Sequence, residues 1–181
     1  KRKSKNNIQN FETINPQPVS LMDGIKEFYA YMKPCNKRIY YEFLKSQKPD
    51  IIHIHTLMGL HIEFLQAAQD LNIKTIFTTH DYFGLCPKVT FLYRNEICKE
   101  ILNSSSDKEC NKNALSLKKI KVLQSPIYRL AKNTNIVKKL RRKFNLKNQV
   151  NESQAIENNL LKSNKIDDYQ ILRQYYFNMF E

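Results

Sequence analysis

Two short apolar runs that end in histidine limit the possible folds of this chain more than any other feature. The first is Lys48-Pro49-Asp50-Ile51-Ile52-His53-Ile54-His55-Thr56 and the second is Thr75-Ile76-Phe77-Thr78-Thr79-His80-Asp81-Tyr82. Ile51, Ile52 and Ile54 are β-branched and follow Pro49 directly, a run too short for a helix and suited to a strand buried on both faces. The second run has the same character. Between them Leu60, Phe64, Ala67, Ala68 and Leu71 recur at helical spacing, with Glu63, Gln66, Gln69 and Asp70 opposite. Strand, helix, strand is the unit that makes two strands parallel and brings their carboxyl ends to one edge. Open α/β folds bind ligands at that edge.

Histidine placement supplies the candidate chemistry. His80 ends the second strand, where a neutral imidazole can exchange hydrogen bonds or a proton with a hydroxyl near neutral pH. Asp81 either orients it or caps the following turn. His53 and His55 flank Ile54 and are assigned to opposite sides of the sheet. On that reading His55, nearer the strand end, faces the ligand edge and His53 is a satisfied core residue. Thr56 to Gly59 supplies the turn into the helix, whose first amides can hold an anion. His61 is expected to be exposed.

At 181 residues, 41 % of them hydrophobic, the chain has room for one domain with a real core. No apolar run approaches the roughly 18 residues of a spanning helix. Charge is lopsided: between Lys108 and Lys147 thirteen Lys or Arg stand against one acid, Glu109, so this window holds +12 of the net +13. Within it Ser125-Pro126 reads as an N-cap and first-turn proline, and Ile127, Leu130 and Ala131 share a face. Beyond them Val137, Leu140 and Phe144 line one face while Lys138, Lys139, Arg141, Arg142 and Lys143 cover the flanks. A basic amphipathic helix of this kind suits an anionic membrane surface. A helix packed on the sheet with its basic side in water fits equally well. Nucleic-acid binding is disfavoured, because no known motif is present and no aromatics interleave with the basic run.

The remaining segments are quickly placed. Residues 1 to 20 are polar, punctuated by Pro16 and Pro18, and read as loop. Ile39, Tyr40, Tyr41, Phe43 and Leu44 predict a helix ending before Pro49, and residues 145 to 165 predict an exposed connection. Tyr169, Leu172, Tyr176 and Phe180 line a last helix. Cys86, Cys98 and Cys110 form no CxxC pair, so no metal is assigned, with a zinc or disulfide cluster among these three as the alternative.

The order KPDIIHIH, then GLHIEFLQAAQDLNIKTIFTTHDYFGLCP, resembles the N-terminal domain of glycosyltransferase family 4-like enzymes of the GT-B type. The likeness is strongest over residues 48 to 87 and runs more loosely to about residue 130. It implies an α/β fold, a Rossmann-like parallel sheet with flanking helices. Residues 1 to 181 would form one acceptor-side domain, and residues 88 to 165 a basic helical and loop insertion within it. It also implies a hexosyltransferase, with retention of configuration, acting on a glycan or lipid-linked acceptor. Within it, His80 and Asp81 take catalytic places and His55, Thr56, Gly59 and Tyr82 contact substrate. No cofactor is expected here, because the nucleotide-sugar donor belongs to a second, C-terminal domain absent from this chain, which alone would be inactive. A cytoplasmic protein, peripheral on the inner membrane face, fits this reading. A non-catalytic basic module for membranes or nucleic acid is the alternative.

Overall fold

The computed structural model describes residues 8–20, 24–93, 96–98, 107, 110–112, 114–135, 138–139 and 166–180. Helix α1 spans Lys37–Gln47. The Asn36 side chain accepts from Arg38 N at its start, and Lys48 ends it in the left-handed region at φ 48°. Pro49 then prevents the helix from resuming. Strand β1 (Ile51–Ile54) follows, then α2 (Ile62–Asp70) and β2 (Lys74–Phe77). The strands pair in parallel, with Ile51 opposite Lys74 and Ile54 opposite Phe77. Thr78 N donates to Ile54 O at 3.0 Å, carrying the ladder one step past the strand ends.

The sheet is buried on one face only. Ile52 and Ile54 turn inward, where Ile54 joins Ile25, Phe28, Tyr31, Leu57, Phe83, Ile120, Leu172 and Tyr176 in the main core. A smaller cluster of Leu44, Ala67 and Ala68 joins α1 to α2, and the Lys37–Asp70 ion pair at 2.7 Å closes its rim. The other sheet face, with Ile51, His53, His55, Ile76 and Thr78, is exposed. Two-sided burial therefore fails: among the described residues no layer covers that face. The sequence reading of the strand histidines fails with it. Side chains two apart on a strand share a face, so His53 and His55 stand side by side on the open one, and His53 is not in the core.

Past the strands, the segment expected as a helical and loop insertion also carries a short hairpin. Leu92–Tyr93 (β3) and Glu96–Ile97 (β4) form an antiparallel hairpin. Helices α3 (Leu117–Gln124) and α4 (Pro126–Ala131) follow, and Ser125 Oγ accepts from Tyr128 N at 3.1 Å with Pro126 opening α4. Ile120 is in the main core, so α3 packs into the body of the domain. Of the basic face expected over Val137 to Phe144, Lys138 and Lys139 are described and exposed, while Val137, Leu140, Arg141, Arg142, Lys143 and Phe144, with the connection at 145–165, lie outside the described residues.

The last helix, α5 (Ile166–Phe177), closes the core with Leu172 and Tyr176. Gly84 makes room for it: with φ +94°, an added Cβ would lie 3.1 Å from Tyr176 Cβ. Arg173 of the same helix is buried and donates to Asp107 Oδ2 at 2.5 Å and to Leu85 O at 2.9 Å. Burial pushes the Asp107 carboxyl up against the opposing pull of Arg173. Phe180, expected on one face of this helix with Leu172 and Tyr176, lies beyond its end, is half exposed and tilts against Phe77 at 5.3 Å.

Candidate functional site

The exposed sheet face collects three of the four histidines. His53 Nε2 lies 2.8 Å from Thr78 Oγ1, and His55 Nδ1 lies 3.0 Å from His80 Nε2. The two contacts share one geometry, since His53 and His55 each meet the residue twenty-five positions on. The parallel register sets this offset: His53 sits opposite Ile76, so Thr78 and His80 are the next two positions on the same face. The imidazoles also pack on one another. His53 and His55 centroids are 4.0 Å apart, and His55 and His80 are stacked at 5.3 Å with 20° between planes.

Neighbouring candidates hold the loops that carry this row. Asp81 Oδ1 accepts from Phe83 N at 2.9 Å, which makes it a turn former after β2. Thr56 Oγ1 accepts from Met58 N at 3.1 Å and shapes the turn after β1. Tyr82 is half exposed, its ring stacked on Phe91 at 4.9 Å. Gly59 takes φ +82°, and its carbonyl accepts from Gln17 N at 3.2 Å, tying the turn to the N-terminal segment. At the start of α2, Ile62 N donates to the Tyr175 hydroxyl at 3.4 Å.

A second polar cluster lies at the joint between α1 and α2. Glu63, expected on the solvent side, is 8 % exposed. Its carboxylate accepts from Cys35 N at 3.1 Å, and Cys35 Sγ lies 3.6 Å away. His61, expected to be exposed, is 7 % exposed, with Nδ1 2.9 Å from the Tyr40 hydroxyl. Helical period alone assigns these residues to solvent, and the segment before α1 overrides it by folding across them. Burial pushes the Cys35 thiol up to about 11, with Glu63 adding to the shift, so it is a poor nucleophile.

Among the other thiols, Cys110 shows the same effect of burial. Cys110 is pushed up to about 11, chiefly by burial, with Lys88 opposing and Cys86, Asp107 and Cys98 adding to it. Among the described residues no group of three or more His, Cys, Asp or Glu is arranged to hold a metal ion, the three cysteines included. No helix among them is long and apolar enough to cross a membrane.

His53 and Thr78 are members of the site that sequence reasoning missed. The signal was present in the two-residue alternation His53, His55 and Thr78, His80, which places all four on one face.

Against this geometry the comparisons are specific. The family model for Glycosyltransferase Family 4 matches residues 10–107, more than half of the chain. The chain belongs to glycosyltransferase family 4, and the parallel β1–α2–β2 unit is the part of its Rossmann-like fold that carries the histidine row. No curated protein and no solved structure matches it.

Proposed function

We propose that this chain supplies the acceptor-binding face of an enzyme that transfers a sugar from a nucleotide-sugar donor to a glycan or lipid-linked acceptor. The observation that carries the reading is the meeting of His55 and His80 at the carboxyl end of two parallel strands, on a face that no layer of the described residues covers. Ligands enter open α/β sheets at this edge. A row of imidazoles and the Thr78 hydroxyl offers donors and acceptors matched to sugar hydroxyls. The donor belongs to a second domain, and closure of the two domains would bring an acceptor hydroxyl to the anomeric carbon as the diphosphate departs. Positioning and charge stabilisation supply most of the acceleration in such a cleft.

Saturation-transfer NMR with a panel of mono- and disaccharides tests this. Transfer to at least one glycan is expected, and in His80→Ala it should fall several-fold. Saturation of a nucleotide sugar with none of any glycan would sink the assignment.

A specific observation favours a membrane setting for this activity. Val122, Ile127 and Leu130 on α3 and α4 are 62 %, 79 % and 84 % exposed, and Lys118, Lys119, Lys121, Lys132, Lys138 and Lys139 are exposed around and beyond them. Apolar side chains among lysines fit an anionic bilayer, where each basic residue near the surface contributes roughly 1 kcal/mol. Sedimentation with phosphatidylglycerol vesicles should pull the chain down, with little binding to phosphatidylcholine vesicles. Equal binding to both, or none at low salt, would remove the membrane from the reading.

A further inference from the structure

The contact between His55 and His80 determines more than their proximity. A single proton lies between His55 Nδ1 and His80 Nε2, which are 3.0 Å apart, so when both rings are neutral one nitrogen donates and the other accepts. His80 Nε2 is thereby engaged, and Nδ1 is the ring nitrogen left to meet a ligand. We infer that His55 is a positioning residue for His80: it accepts from His80 Nε2–H and so holds His80 in the tautomer whose bare Nδ1 accepts a hydrogen bond from a sugar hydroxyl.

Two further contacts support this role. The His55 ring is held from the other side by His53, 4.0 Å away, and His53 is fixed in turn by Thr78 Oγ1 at 2.8 Å. The strand register repeats the same offset for both pairs. The row therefore runs from Thr78 through His53 and His55 to His80, and each ring orients the next. Asp81, which follows His80 in the chain, is engaged by Phe83 N through Oδ1. The histidine partner thus does for His80 what a carboxylate or carbonyl does for many working imidazoles, fixing the tautomer through the ring nitrogen that does not meet the ligand.

This inference rests on reading the edge as the acceptor site, but its test needs no sugar. The probe is the histidine ring itself, followed by long-range proton–nitrogen correlation on protein labelled with nitrogen-15 at histidine, at about pH 8.5 where imidazole is neutral. In the native chain His80 Nε2 should resonate as a protonated nitrogen and Nδ1 as a bare one. His55→Ala should draw the two His80 resonances towards each other as the tautomers mix. His55→Asn, whose Oδ1 can stand near the lost Nδ1 and accept, should restore the native pattern. Far-UV circular dichroism shows that each variant is folded. A His80 pattern unchanged by His55→Ala, or Nδ1 protonated in the native chain, overturns the inference. An intact pair in a protein that binds no glycan would instead fault the acceptor-site reading alone.

Discussion

This chain places its histidines in two settings, and their surroundings separate them more than their chemistry does. On the sheet face His53, His55 and His80 are exposed and bond to one another and to Thr78. At the α1–α2 joint His61 is buried beside Glu63, bonds to Tyr40, and has Cys35 closing the cluster. The first row leaves ring nitrogens open to an incoming ligand. The second spends its polar groups on holding helices together, much as Arg173 holds α5 to Asp107 and to Leu85 O. Clustering of polar groups is common to both places, and exposure on the sheet edge is what separates them.

The sharpest way to break that contrast is to unpair the buried joint. Glu63→Ala leaves the Cys35 N–H and the thiol without their acceptor. An orphaned buried donor costs about 1–3 kcal/mol, so the urea midpoint should fall accordingly at unchanged slope. Saturation transfer to a glycan should survive in the fraction that remains folded. A loss of glycan contact without a loss of stability would place the joint in the site.

How much of this was legible in the sequence depends on which physical rule governed each residue. The β1–α2–β2 unit could be read because local pattern and tertiary packing agree: Ile52 and Ile54 face the core, and Ala67 and Ala68 pack under α1. The N-cap at Ser125 could be read because capping is a local rule. Glu63 and His61 were hidden, because the segment carrying Cys35 buries them and no helical periodicity reports a chain crossing from elsewhere. His53 differs, because the two-residue period of a strand puts it on the same face as His55, and that face is the open one. The pairing of His55 with His80 needs the strand register, which two isolated runs do not fix.

A smaller effect separates the two settings by pH. Burial lowers the His61 imidazole below its ordinary 6.5, and Glu63 only partly opposes the shift. As pH falls, the unfolded chain therefore takes up this proton before the folded one does. The His61 contribution is fully present above about pH 6.5 and drains away as pH falls through that value towards the lower folded one. Urea unfolding at about pH 7.5 and pH 5.5 should show the native chain losing more stability than His61→Gln across the step, by less than Glu63→Ala costs. An identical loss in both would mean that His61 is not desolvated at the joint.

The smallest stability change should come from the open row, and there it would be most telling. Thr78→Val keeps the β-branched shape on β2 but removes the hydroxyl that meets His53 Nε2. Both groups are exposed, and water replaces the lost partner, so unfolding should stay within about 0.5 kcal/mol of native. The His53 ring is then free to turn away from His55, and the order imposed on His80 weakens. Saturation transfer to the glycan should drop, but by less than in His80→Ala, because His80 itself is still present. A Thr78→Val protein that is markedly destabilised would place the row among the structural clusters and erase the difference between the two settings.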